Sequence, residues 1–236
     1  MVMKKRLAVH FGGNRVGSRG GRFGNLLALV GLALILAVPP IAAQDNDECL
    51  MCHEDPDLTT ERKGREVSLY VDPAVMAMSV HEGMDCIMCH TALDGAEVPH
   101  DPEVEDVDCS MCHDEVAELY AGSLHGQQVA AGEDLAPQCW DCHGMHDILP
   151  HDHPNAQTTK FNIPVMCASC HKEGTEVTRK YDLPVDSVFQ NYSQSIHGFG
   201  LYTQGLTVTA VCTDCHTAHN VLPLTDPKSS ICLLYT

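Results

Sequence analysis

Basic residues are few in this sequence: 14 Lys and Arg stand against 32 Asp and Glu, for a net charge of −18. Six of the 14 fall within the first 25 residues, where there is no acid, so beyond residue 43 only 8 face all 32 acids, a net of −24. A chain this acidic is repelled by nucleic acid and by anionic lipid, which excludes both as partners. Large aromatic side chains are sparse too. Phe, Trp and Tyr make up 5% of the chain and Trp140 is its one tryptophan, so a core of ordinary side chains would be thin. Long apolar runs are also missing: the unbroken run Leu26–Val38 has thirteen residues, short of the roughly 20 that a spanning helix needs.

That short run follows Lys4, Lys5, Arg6, Arg15, Arg19 and Arg22, is broken by Pro39 and Pro40, and precedes the small residues Ala42 and Ala43. This is the layout of a signal peptide over residues 1–43, with an uncleaved N-terminal anchor as the alternative. Either way the rest of the chain is expected outside the cytoplasm, in the periplasm or its equivalent.

What the sequence has in quantity is cysteine. Twelve of its thirteen cysteines lie in six copies of C-x-x-C-H: Cys49/Cys52/His53, Cys86/Cys89/His90, Cys109/Cys112/His113, Cys139/Cys142/His143, Cys167/Cys170/His171 and Cys212/Cys215/His216. Random placement at this composition gives roughly 0.05 copies, so coincidence is excluded. Disulfides suit an exported chain but have no use for a histidine after every second cysteine. Zinc would need a fourth ligand at each site and gains nothing from six identical copies. Covalent haem attachment explains the whole motif: two thiols three residues apart face the same way and each can add to one porphyrin vinyl group, with the histidine beneath the iron. The sequence therefore predicts six haem c groups, one per 32 residues or so of mature chain, which themselves form the core.

The expected fold is mainly α with much irregular loop, wrapped around the haems. One small β-hairpin is expected near residues 57–72, turning at Lys63-Gly64 and carrying Val67, Leu69 and Val71 in alternation. Asp72-Pro73 should start a helix running to Val80, further helices should cover Asp114–Ser123 and Ser187–Ser195, and each C-x-x-C-H motif should occupy its own short helix.

The chain also repeats. Cys139–Pro154 aligns with Cys212–Pro227 at an offset of 73, YAGSLHG (Tyr120–Gly126) corresponds to YSQSIHG (Tyr192–Gly198), and MAMSVHEG (Met76–Gly83) is a fainter version. This predicts three haem-pair units, at about 44–105, 106–160 and 161–231. A low-spin haem needs a second axial ligand. His81, His125 and His197, in the Ser-x-His elements, are the first candidates. His146 and His219 share a helical face with their own proximal histidines and could reach only a neighbouring haem, and His100 is a further candidate. His151 and His153 complete the eight histidines available for six distal positions, so nothing here demands an open haem. Met51, Met88 and Met111 lie inside the attachment loops, where they are expected to pack on the porphyrin. No side chain is assigned as a catalytic acid, base or nucleophile.

These motifs, over about residues 48–231, resemble the multihaem c-type cytochromes of bacterial respiratory chains, of the doubled-CxxCH, class III cytochrome c-like kind. The resemblance implies a periplasmic electron carrier between quinol oxidation and a terminal reductase or extracellular acceptor. Its implied partners are redox proteins with basic docking patches and a membrane quinol-oxidising or b-type cytochrome module. The acidic surface suits such patches, with rates that fall as salt rises. The stretch Asp101–Glu115 is either a docking face or simply a solvated one. The alternative is an oxidoreductase of nitrogen or sulfur compounds, with a catalytic haem among these six or in a missing C-terminal part. By the repeat, Asp226–Ile231 should lead on to another haem motif. Residues 232–236 (CLLYT), with the thirteenth cysteine, Cys232, are instead expected to be a non-native tail of a truncated chain.

Overall fold

A computed structural model describes residues 44–62, 64–181 and 187–231. The expected signal peptide at 1–43 and the tail at 232–236 lie outside the described residues. Between them the chain is mainly helical, with irregular connections and one two-stranded antiparallel sheet. Among the described residues no helix is longer than the eight residues of α1 (Asn46–His53).

The hairpin pairs β1 (Thr59–Arg62) with β2 (Arg65–Ser68), in the register Thr59↔Ser68 to Arg62↔Arg65; of the expected turn Lys63-Gly64, Lys63 lies outside the described residues. Gly64 has a φ of 73°, as such a turn requires. The helix begun by Asp72, whose carboxylate accepts from Ala74 N at 2.9 Å, is shorter than expected: α2 covers Pro73–Met76. It ends early because the next residues dock elsewhere. Ser79 Oγ and Val80 N both donate to the carbonyl of Ile148, at 3.3 and 2.8 Å.

Five of the C-x-x-C-H motifs begin or lie on short α-helices, as in α3 (Cys86–Cys89), but the third forms a single 3-10 turn, Cys109–Met111. Asp108 dictates that turn by accepting from both the N–H and the hydroxyl of Ser110. The expected helix at 114–123 is α4 (Asp114–Ala121), which is followed at once by α5 (Leu124–Ala130). The attachment helices α6 (Cys139–His143) and α7 (Ile163–Cys170) and the short α8 (Glu176–Lys180) come next. Then α9 (Val188–Gln194) runs straight into α10 (Ile196–Tyr202), and α11 (Cys212–His216) is last. Each tandem arises from one serine. Ser123 and Ser195 leave the helix in extended conformation, and their hydroxyls cap the following helix at the N–H of Gly126 (3.0 Å) and Gly198 (3.2 Å).

Very little apolar side chain is buried: Ala156, Ile163, Ala168, Leu201 and Val211. Ile163, Leu201 and Val211 cluster with Cys167, Tyr192 and Cys212 at one attachment site. A core of this size cannot by itself hold some 190 residues in place.

One strained residue stands out. Gly144 and Thr217 follow the histidines of the fourth and sixth motifs and share a backbone conformation, φ/ψ of 86°/176° and 65°/165°, that is essentially reserved for glycine. The buried hydroxyl of Thr217 also finds no partner among the described residues. Thr217→Gly is therefore expected to raise stability by about 1–3 kcal/mol, read as a higher unfolding midpoint in denaturant; an unchanged or lower midpoint would show that Thr217 is not strained.

Candidate functional site

The Ser-x-His-Gly element is a rigid corner that holds its histidine in a fixed place. In the second repeat, Ser123 Oγ donates to Tyr120 O at 2.6 Å while accepting from Gly126 N, and the Tyr120 hydroxyl donates to the carbonyl of Pro137, two residues before Cys139. The third repeat reproduces this, with Ser195 Oγ on Tyr192 O at 2.6 Å and the Tyr192 hydroxyl on Ala210 O at 3.0 Å, two residues before Cys212. The corner is thus tied to the attachment motif that follows it. That motif starts firmly as well: Asp141 and Asp214, inside their C-x-x-C-H sequences, accept from Gln138 N (2.6 Å) and Val211 N (2.7 Å).

The histidines meet in pairs. Ring centres lie 6.0 Å apart for His53 and His100, 6.1 Å for His81 and His113, 6.2 Å for His90 and His146, 6.1 Å for His125 and His171, and 5.9 Å for His143 and His219. Such a distance is too long for stacked rings in contact, yet it recurs within 0.3 Å. It is the spacing of two imidazoles on opposite sides of one metal ion: each nitrogen about 2 Å from the metal, the nitrogens about 4 Å apart, the ring centres about 6 Å apart. In the first pair, His53 Nδ1 lies 2.8 Å from Leu69 O and His100 Nδ1 2.7 Å from Asp101 O. These bonds occupy Nδ1 and leave Nε2 of each ring as the nitrogen available to a metal. Burial, followed by the facing imidazole, holds His90, His125 and His143 below the ordinary histidine range, and burial does the same for His146 and His171. They are neutral at pH 7, as a metal ligand must be.

Two histidines of the expected set do not join a pair. His197 is exposed, with Nδ1 3.4 Å from Thr209 Oγ1, and His216 is also exposed; neither faces another imidazole among the described residues. His151 and His153 face none either. Of the eight candidates for six distal positions, His81, His100, His125, His146 and His219 face another imidazole, while His151 and His153 sit on the turn that follows the fourth motif.

The cysteines remain thiols, with no disulfide among the described twelve, and no group of three or more His, Cys, Asp or Glu among the described residues converges on a common metal position. They associate by motif instead. Cys86 lies near Cys49, Cys109 near Cys139, and Cys167 near Cys212. Burial and then the Cys49 thiol push Cys86 up to about 11, burial and then Cys139 raise Cys109, and the Cys212 thiol, with burial, raises Cys167. Charge interactions also link Cys89 with Cys109 and Cys142 with Cys170, so successive motifs adjoin along the chain.

The twelve attachment cysteines differ in exposure. Cys52 and Cys112 are exposed, whereas the other ten are half-buried. The cause is local in each case. Cys52 lies in the last turn of α1, a helix that buries none of its residues. Cys112 falls just past the 3-10 turn Cys109–Met111, where no helix continues to carry it inward. Cys112 still lies near enough to Cys89 to interact with it by charge.

Twinned thiols beside facing imidazoles fit a porphyrin iron. Residues 78–172 match the family model described as Cytochrome c3. Over this span, less than half of the chain, the likeness is to a multihaem cytochrome c, and it supports covalently bound haem c and electron transfer. The matched span holds the second to fifth motifs, together with His81, His125 and His146. No curated protein and no solved structure matches the chain. Among the described residues no helix is long and apolar enough to cross a membrane.

Proposed function

We propose that the chain is an exported hexahaem electron carrier of an anaerobic or respiratory chain, built of three haem-pair units. The observation that carries this reading is the recurrence of five imidazole pairs at 5.9–6.2 Å. In each pair one member is the proximal histidine of a motif: His53, His90, His113, His143 or His171. Its opposite member, His100, His146, His81, His219 or His125 respectively, is the distal ligand. Bound between them, haem supplies a one-electron iron couple, and the adjoining sites make a path for electrons.

The chain's own residues do the rest. The thiols of each motif fix a porphyrin by two thioethers, and the contacts Cys49–Cys86, Cys109–Cys139 and Cys167–Cys212 bring porphyrins together two by two. Cys52 and Cys112 belong to this set, since an exposed thiol is free to add to a vinyl group. Two imidazoles per iron occupy both axial positions and exclude substrate, which favours carriage over catalysis. The acidic surface attracts redox partners with basic patches, and a membrane quinol-oxidising or b-type cytochrome module fits as donor. The basic start and short apolar run of residues 4–38 support export to the periplasm.

A second reading, redox conversion of a small nitrogen or sulfur compound, draws on one observation: His216 faces no second imidazole among the described residues. Protein matured with a c-type apparatus should gain the mass of six haems and be reversibly reducible, and no more than one haem should bind carbon monoxide. A colourless or zinc-loaded product would sink the carrier, and several carbon monoxide-binding haems would favour catalysis.

A further inference from the structure

The three repeats are joined by a junction that occurs twice and is half-built a third time. At the first junction, Val80 N–H donates to Ile148 O at 2.8 Å, His81 faces His113, and His90 faces His146. At the second, Leu124 N–H donates to Val221 O at 2.8 Å, His125 faces His171, and His143 faces His219. Ile148 and Val221 are equivalent residues, each two after the second histidine of a CHxxH segment. Each unit therefore gives the next one a Ser-x-His imidazole and the N–H before it. In return it receives a CHxxH imidazole and a backbone carbonyl.

The third unit carries the same giving and receiving groups. Its Ser-x-His corner is fully formed, with Ser195, Gly198 and Tyr192 bonded as in the second. Yet among the described residues the Ile196 N–H meets no carbonyl, His197 faces no imidazole, and neither does His216. The Ile196 side chain is 78% exposed, against 37% for Leu124 in the completed junction.

On the hexahaem reading above, we propose that Ile196, His197 and the His216 haem form a third junction, completed by one more haem-pair unit of this construction. In that unit a C-x-x-C-H histidine takes His197, and the second histidine of a CHxxH segment closes the sixth haem. A second copy of this chain offers His197 only its own open His216 haem and has no CHxxH histidine left to close a haem in return, because its His146 and His219 already face His90 and His143. A small substrate does not account for the accompanying Ile196 N–H and His197.

The mature chain should contain one high-spin haem, assigned to Cys212 and Cys215, which binds one equivalent of carbon monoxide and loses that capacity in added imidazole. His197→Ala should leave this count unchanged. In a chain lengthened by a second copy of residues 161–231 after Ile231, the haem at Cys212 and Cys215 should become low-spin. His197→Ala should then open one additional haem. Three results would each overturn the proposal: a monomer with every haem closed, a dimer whose sixth haem opens in His197→Ala, or a lengthened chain in which the haem at Cys212 stays open. Absence of thioether-bound haem by intact mass would instead defeat the carrier reading itself.

Discussion

Replacing His146 with alanine opens the haem attached at Cys86 and Cys89, and leaves closed the haem attached at Cys139 and Cys142, beside which His146 lies in sequence. The facing partner of His146 is His90, 6.2 Å away in the preceding repeat. Loss of the distal imidazole converts one low-spin iron to high spin and adds one equivalent of carbon monoxide binding. Electron paramagnetic resonance counts the change, and paramagnetically shifted proton resonances of the porphyrin locate it. His219→Ala should act in the same way on the haem at Cys139 and Cys142, because His219 faces His143. The double variant should open two haems, since the two histidines serve different irons. His151→Ala, outside every pair, should open none. If His146→Ala changed the haem of its own motif, or no haem, the exchange of ligands between repeats would be disproved.

Gly198→Ala should be among the most damaging single-methyl changes available to this chain. A Cβ at Gly198 would lie 2.2 Å from Tyr192 O and 2.5 Å from Ser193 Cα, and one at Gly126 would lie 2.1 Å from Tyr120 O. These neighbours are backbone of the preceding helix, so they cannot swing aside, and the corner itself must open. Overpacking of this kind costs about 3 kcal/mol, at the upper end of the usual range. Gly200, on the same helix, is the internal control: its nearest contact would be Thr209 Oγ1 at 3.5 Å, so Gly200→Ala should cost nothing and could gain up to about 1 kcal/mol of helix propensity. Denaturant unfolding of both variants measures the difference. In Gly126→Ala the adjacent His125 is displaced with the corner, so the haem paired through His171 should also turn high-spin. Equal stability of Gly198→Ala and Gly200→Ala would show that the corner tolerates a side chain.

The parts of this architecture that were legible in the sequence are those with local causes. The turn at Gly64, the Asp72 cap and the six attachment motifs each act within a few residues, and all lie where their patterns place them. Helix ends were less legible. The helices expected at 114–123 and 187–195 do end at Ser123 and Ser195, but the second helix that each of these serines caps was not read, and Gly126 and Gly198, three residues on, were the available signal. Depth was less legible still: six identical motifs gave no sign that Cys52 and Cys112 would lie at the surface, because exposure depends on what packs over a helix and not on its own spacing. The pairing of histidines was not legible at all. His146 sits three residues from His143 yet faces His90, and nothing local to His100 marks it as the partner of His53. Such contacts are set by how repeats stack, and the cofactor surfaces on which they stack leave no hydrophobic periodicity to read.

The exchange of imidazoles across repeats gives the chain the character of knitting, in which each row is held by a loop drawn from the next. No single repeat can be excised as an autonomous module. A cut after residue 160 would strip His143 of its cap and leave His125 with nothing to ligate. On the carrier reading, maturation would inherit an order from this: the second porphyrin, once attached, would wait for its cap until the fourth motif has been exported. A stalled or clipped chain would therefore betray itself by one loose stitch at its leading edge, a lone five-coordinate iron behind a fully laced interior.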